Sequence, residues 1–315
     1  MSAEASPAGD EVWDVVVVGA GAGGMTAACV AAAEGCSVLL LEAADVVGGT
    51  TAISGGMVWL PGNHKMAAAG RPDTPEAARA FLDATVPGED RSRLDSFLKH
   101  ADAALRDLEA RTSLRLQPVM TYPDYYPDLP GATAGGRVLE PVPFDARALG
   151  KAFALVRDPL PEFMLFGGMM ISRQDMPHLR NAARSLRSAA RTARLLLGYA
   201  VQRLRARRGT TLYLGNALVA RLLKSALDLG VNLVDTYESE GQWEPMARVV
   251  KSRRDKVLMS ICRQFPMFVG TLARSPYSSE QDLSTEVRSG LETLQRCSPS
   301  QCQGGDCAKG SQEAH

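Results

Sequence analysis

The sequence has no imbalance of charge. Its 35 lysines and arginines are matched by 35 aspartates and glutamates, so no net field draws nucleic acid or an acidic partner to it. Cysteine is scarce. Six in 315 residues do not make a disulfide scaffold, and the chain reads as reduced and cytoplasmic. Cys297, Cys302 and Cys307 recur every five residues, which does not fit the paired C-x-x-C spacing of a zinc site. His64, His100 and His178 stand alone, so no metal site is expected. A membrane span is also lacking. Residues 15–33 are nearly uncharged and about long enough to cross a bilayer. They follow Asp10, Glu11 and Asp14, however, where a signal peptide would be positive. They also hold clustered glycines between a valine run and an alanine run, which reads as strand, turn, helix. What is left, 45% apolar and 22% charged, is an ordinary globular chain with room for about two domains.

The periodicities predict an order of elements. Residues 14–18 form a short valine-rich strand buried on both faces, 19–24 a turn, and 23–33 a helix ended by Gly35. A second buried strand at 37–41 closes on Glu42. Strand, helix and strand within about 30 residues make a βαβ unit with parallel strands. A glycine-rich loop follows at 48–62. Helices are predicted at 75–85 and 90–111, the second on a stripe of Leu94, Phe97, Leu98, Ala101, Leu105 and Leu108. Residues 117–150 read as irregular or short-strand structure.

Residues 178–208 read as one long helix. Arg180, Arg184, Arg187, Arg191 and Arg194 share one face. Leu179, Ala183, Leu186, Ala190, Ala193 and Leu197 share the other. Two readings stand: a solvated basic face, or peripheral contact with an anionic membrane surface. A helix at 218–229, ended by Gly230, leads to a strand at 231–234. Residues 1–11 and 239–315 read as poorly ordered.

The strongest motif is Gly19-Ala20-Gly21-Ala22-Gly23-Gly24, directly after one strand and opening a helix. Gly19 makes the tight turn, Gly21 lets backbone approach a pyrophosphate, and Gly24 lets the helix pack on the sheet. Helix N-terminal amides, those of Ala22 and Gly23 among them, meet the phosphates. Glu42, 18 residues beyond Gly24 with Ala43 beside it, can accept from both ribose hydroxyls of an adenosine and disfavours a 2′-phosphate. The plainer alternative is a glycine-rich turn in a parallel sheet.

Gly48-Gly49-Thr50-Thr51-Ala52-Ile53-Ser54-Gly55-Gly56 follows. This loop of hydroxyls and amides can line a pyrophosphate and a flavin edge, or simply be a solvated loop. Together with Glu42 it resembles the flavoprotein family that holds succinate dehydrogenase, fumarate reductase and 3-oxosteroid 1-dehydrogenase. Gly49-Thr-Thr-Ala with Ser54-Gly-Gly-x-Val58-Trp59-x-Pro61-x-Asn63 is most similar to the ketosteroid dehydrogenase branch.

The resemblance implies an α/β fold: an FAD/NAD(P)-binding Rossmann-like domain with a mixed α+β cap. The cofactor domain would be discontinuous, 12–60 and 211–238, with the cap at 61–210. It implies FAD held non-covalently, since threonines stand where the respiratory branch carries its flavin-linked histidine. In Tyr122-Pro-Asp124-Tyr125-Tyr126 it implies Tyr125 as a catalytic phenol lining the active site; an ordinary packing tyrosine is the alternative. Gly136-Arg137 and Pro141-x-Pro143-Phe144-Asp145 also match this branch, with no chemistry assigned. Gly215-Asn216-Ala217-Leu218 is expected to pack a helix back onto the cofactor domain.

The family's later flavin-binding segments have no counterpart after Glu238, so the resemblance covers residues 12–238 and implies a truncated chain. The implied activity is dehydrogenation of a carbon–carbon bond beside a ketone, on a small apolar ketone. The alternatives are a fumarate reductase-like flavoprotein and a truncated FAD-binding remnant without activity.

Overall fold

The computed structural model describes residues 13–88 and 90–235; the expectations for 1–11 and 239–315 lie outside them. The valine run forms β1 (Val15–Val18), followed by α1 (Ala22–Ala33) and β2 (Val38–Glu42). The glycine-rich stretch is not all loop. It holds a helical turn, α2 (Gly49–Ala52), and a short strand, β3 (Val58–Trp59). Next come α3 (His64–Ala68), α4 (Pro75–Thr85) and α5 (Arg91–Arg111). Thr74 caps α4 by accepting the Ala77 N–H at 3.1 Å, and Asp90 caps α5 by accepting the Ser92 N–H at 2.9 Å, as favoured N-cap residues do. Short strands β4 (Leu116–Pro118), β5 (Val138–Pro141) and β6 (Phe144–Asp145) follow, then 3₁₀ turns over Ala146–Leu155 and Pro161–Phe163. The chain closes through α6 (Met176–Arg180), α7 (Leu186–Arg203), β7 (Thr211–Leu212), α8 (Leu214–Asp228) and β8 (Asn232–Asp235).

The main sheet is parallel, in the order β1-β2-β8. Val15 faces Val38 and Val18 faces Leu41, while Leu39 faces Asn232 across the chain's return. The core lies between this sheet and α1 and α8. Met25, Cys29, Leu40, Val219, Leu222 and Leu223 are all buried there. Burial pushes the Cys29 thiol up to about 11, which leaves it inert at neutral pH. A second sheet, β3-β5-β4, and a two-stranded pair, β6-β7, are antiparallel.

Two expectations change. β1 was expected to be buried on both faces, yet all four valines are only partly buried. Among the described residues β1 pairs with β2 alone, so it stands at the sheet's edge. The long helix at 178–208 is two helices. Asn181 ends α6, and Ser185, extended at φ −149°, starts α7. Serine and asparagine compete with helical hydrogen bonds and so favour ends over interiors. The faces of α7 also invert the usual rule. Toward the fold it turns polar groups: the Thr192 hydroxyl donates to the His178 carbonyl (3.2 Å), and Gln202 bonds Thr211 Oγ1 (3.0 Å) and the Thr210 N–H (2.7 Å). Leu186, 91% exposed, and Leu197 point away, while Leu195 and Leu196 are partly buried.

Candidate cofactor site

The fingerprint lies where β1 passes into α1, at the carboxyl end of the parallel strands. Its glycines divide by what surrounds them. A Cβ on Gly24 would lie 1.8 Å from the Gly19 carbonyl oxygen, so this glycine is required by packing of α1 on the strand end. A Cβ on Gly21 would meet nothing within 4 Å. Gly21 also has φ −77°, which any residue adopts. Nothing in the protein demands glycine there; the open space beside it is what a closely approaching ligand would use. Gly21, the N-cap of α1, has no side chain to close the helix start, and no acid occupies its first turn. The helix thus presents amides and the positive end of its dipole to an anion.

Glu42 stands at the end of β2, beside this opening. Its Oε2 accepts the Ala20 N–H at 2.7 Å, and its Oε1 accepts those of Ala43 and Ala44 at 3.0 and 3.1 Å. The carboxylate is therefore held in place by the fingerprint loop, through Ala20, and by the turn that follows β2. The second glycine segment joins them. The Gly48 N–H donates to the Ala20 carbonyl at 2.8 Å, and Thr51 Oγ1 accepts the Ala22 N–H at 3.2 Å. Gly48 and Gly49 have φ of +113° and +47°, a bend that carries Thr50 and Thr51 onto the start of α1.

Ser54 and Gly56 face the other way. Ser54 Oγ accepts the Gly56 N–H at 3.0 Å and donates to the Thr51 carbonyl at 2.9 Å. Gly56, at φ +63°, passes so near α8 that a Cβ would lie 2.6 Å from Gly215 backbone. A Cβ on Gly215 would lie 1.8 Å from the Thr51 carbonyl oxygen. Asn216, fully buried, clamps the same contact. Its Nδ2 donates to the Ala52 carbonyl at 2.7 Å, and its Oδ1 accepts from Arg208 at 2.8 Å. Burial lowers the Arg208 guanidinium to about 10, so it stays charged at neutral pH. Leu214, just before Gly215, has φ +54°, a strained conformation held by this packing.

Tyr125 is 84% exposed and Tyr126 59%. The buried member of that segment is Asp124. Its Oδ1 accepts the Trp59 indole N–H at 2.8 Å, and its Oδ2 accepts from Arg137 Nη1 at 3.0 Å. Arg137 is fully buried and also holds Asp73 with two parallel bonds of 2.8 and 2.9 Å. Its guanidinium carbon lies 5.8 Å from the Trp59 ring and 5.6 Å from the Phe81 ring. Burial raises the Asp73 carboxyl; the bonds from Arg137 and from the Gly62 and Thr74 amides more than offset this and hold it below its ordinary value. The network fixes β3, which follows directly on the glycine loop. Sequence reasoning assigned Arg137 no part. Its one signal was an arginine between two glycines and the short strand β5. Tyr122 is closer to the glycine loop than its neighbours suggest: the Arg173 guanidinium lies 5.4 Å from its ring and bonds the Met57 sulfur at 3.6 Å.

Residues 14–240 match the family described as FAD binding domain. The chain belongs to this family. The fold is therefore an FAD-binding Rossmann-like α/β fold, and FAD is the cofactor. The chain is 36% identical over 268 residues to 3-oxosteroid 1-dehydrogenase of Mycobacterium tuberculosis, a match covering 78% of this chain and 46% of that protein. It is 38% identical to 4-oxocyclohex-2-ene-1-carboxylate 5-dehydrogenase of Sinomonas cyclohexanicum, covering 70% of this chain and 37% of that one. Among solved structures it is similar to the 3-ketosteroid delta1-dehydrogenase of Sterolibacterium denitrificans, crystallised with 1,4-androstadiene-3,17-dione. The TM-score is 0.64 at 36% identity, over 71% of this chain and 40% of that one. The chain spans less than half the length of each of these relatives.

Proposed function

We propose that this chain serves an FAD-dependent dehydrogenation of a carbon–carbon bond beside a ring ketone, on a small apolar substrate. The observation that carries the reading is the meeting of Gly21, the start of α1, Glu42 and Thr51 beside the open space at Gly21. The relatives supply the substrate class: the names of both curated relatives describe dehydrogenases of rings bearing an oxo group. In the proposed arrangement, residues 12–60 and 211–238 hold the cofactor and 61–210 form the cap.

Gly21 admits the pyrophosphate to the amides of Ala22 and Gly23, with Gly19, Gly24 and Gly48 shaping the turn around it. Glu42, with Ala43 beside it, takes the ribose hydroxyls. Gly49, Thr50 and Thr51 offer amides and hydroxyls along the dinucleotide, and Ser54, Gly55 and Gly56 anchor that loop to α8. Threonine cannot form the ring-nitrogen link to a flavin, so the cofactor is held without a covalent bond. When bound, FAD supplies the hydride acceptor. The protein's part is to hold the ketone so that the adjacent C–H is acidified, and to take the proton. Tyr125, with its phenol in solvent, is the proposed acid–base group.

The test is spectroscopic. The purified chain is titrated with FAD, then with a 3-ketosteroid, with 4-oxocyclohexanecarboxylate and with fumarate. A flavin band shifted by either ketone and not by fumarate supports the reading, and turnover with an artificial electron acceptor completes it. A shift by fumarate alone would move the assignment to a fumarate reductase-like enzyme. Failure to retain FAD would refute the site.

A further inference from the structure

The side of α7 that faces away from the fold is apolar. Leu186, Ala190, Ala193, Leu197, Val201 and the C-cap Leu204 follow at intervals of four, three, four, four and three, which on an α-helix is a single stripe. All six are exposed, Leu197 to 68%, Val201 to 64% and Leu204 to 82%. Scattered leucines on a surface need no explanation, but a continuous line of them marks a contact. The stripe cannot roll inward, because the opposite side is already bonded to His178, Phe166 and Thr211 through Thr192, Tyr199 and Gln202. Phe166, whose carbonyl takes the Tyr199 hydroxyl, is itself 69% exposed and adds a ring beside the helix.

Charge identifies the partner. Between Asp175 and Asp228 the sequence holds no aspartate or glutamate, in a chain whose charges cancel as a whole. Arg191 pairs with Asp175, and Arg207 and Arg208 pair with Asp158. Arg180, Arg184, Arg187, Arg194, Arg203 and Arg205 make no ion pair among the described residues. At 100° per residue, Arg194 and Arg187 lie about 60° and about 80° round the helix from the middle of the stripe on one side, and Arg203 about 120° on the other. An apolar line edged by cations on long apolar stems suits a surface that is greasy inside and negative at its rim.

We infer that α7 lies in the plane of an anionic lipid surface, its leucine stripe among the acyl chains and its arginines among the headgroups. Among the described residues no helix is long and apolar enough to cross a membrane, so the contact lies along the surface. An apolar ketone partitions into the same layer.

The experiment is cosedimentation of the full chain with vesicles of phosphatidylcholine alone and of phosphatidylcholine with phosphatidylglycerol. The expected result is binding to the anionic vesicles that weakens as salt rises, and binding to neutral vesicles at least about tenfold weaker. Removing Arg187 and Arg194 together (Arg187→Ser, Arg194→Ser) should lower the partition by about 25-fold, about fivefold for each arginine near the surface. Replacing Leu186, Leu197 and Leu204 by serine should lower it by about a hundredfold or more. All these side chains are exposed, and circular dichroism checks that the fold is kept. Should the serine variant misfold, the arginine variant and the salt dependence still decide. Absence of binding to both vesicles, equal binding to both, or full binding by the serine variant would overturn the inference. So would self-association abolished by the serine substitutions in a chain that ignores lipid, which would assign the stripe to a second copy.

Discussion

Gly21 and Gly24 are three residues apart in one motif, yet the structure assigns them opposite duties, and alanine can separate them. At Gly24 a methyl group would sit 1.8 Å from the Gly19 carbonyl oxygen and 3.0 Å from its carbon. Those are backbone atoms, so α1 must move off the strand end. Such overpacking costs about 1–3 kcal/mol, or a fall in melting temperature of roughly 2–12 °C for a unit of this size. At Gly21 the methyl meets nothing within 4 Å and the backbone is unstrained. Alanine there should leave the flavin-free protein as stable or more so, by about 0.4–1 kcal/mol, because the unfolded chain loses freedom. The cost appears only with flavin. A group held off the α1 amides forfeits charge-assisted hydrogen bonds of about 1.5–3 kcal/mol each, a loss of about 10- to 150-fold in affinity, and Gly21→Val should abolish retention. Thermal melts without flavin and fluorescence titrations with FAD, run on Gly21→Ala, Gly21→Val and Gly24→Ala, give the two readouts. Full flavin affinity in Gly21→Val would refute the assignment of that open space to the cofactor. A Gly21→Ala protein that melts well below the parent would show that the space is filled by the protein itself.

Glu42→Ala should reduce both flavin-free stability, by about 1–3 kcal/mol, and FAD affinity, because the amides of Ala20, Ala43 and Ala44 lose their acceptor; a loss confined to affinity would contradict the described bonding. Arg137→Ala leaves Asp73 and Asp124 without their buried cation and should cost about 3–5 kcal/mol in denaturant unfolding. Asp73 is lowered below the ordinary 3.8 in the folded state. Its contribution is therefore present at neutral pH and lost as pH falls through that lowered value. Arg137→Ala should flatten the acid limb of the stability curve, and an unchanged limb would speak against the network. Flavin should leave the protein on acid precipitation, since residues 49–54 carry no histidine; colour remaining in the pellet would show a covalent link.

The parts most legible in the sequence were those set by local chemistry. Four valines, a glycine turn and an alanine run name β1 and α1, because backbone approach and helix packing demand small residues at fixed offsets. α4 was read at the limits the structure shows and α5 to within one residue, because Thr74 and Asp90 cap them. What escaped depends on distance. No periodicity announces that Arg137 meets Asp73 and Asp124, residues 64 and 13 positions away. Nor does the sequence show that, in the Tyr122–Tyr126 segment, Asp124 turns inward while Tyr125 stands in solvent. Gly56 reads as a loop residue until Gly215 is seen against it. The outward stripe of α7 was legible as a stripe, but its direction was not. Amphipathicity shows that a helix has two faces, and only the bonds of Thr192, Tyr199 and Gln202 show which one is turned in.

The parallel pairing of β2 with β8 has a consequence in time. Leu39 lies opposite Asn232, 193 residues further on (232 − 39). Closing a loop of that length costs only about 0.6 kcal/mol more than closing one half as long, so equilibrium stability hardly records the distance. Folding rate does, because contacts remote in sequence must be found before they return any free energy. Residues 15–42 can assemble as soon as they are synthesised. α8, which covers α1 and grips the glycine loop through Gly215, arrives only after the whole intervening segment has been made. A nascent chain therefore displays its nucleotide fingerprint long before the helix behind it is covered. That interval, with Met25, Ala28 and Cys29 still open to solvent, is when this molecule is most exposed to aggregation and most in need of a chaperone.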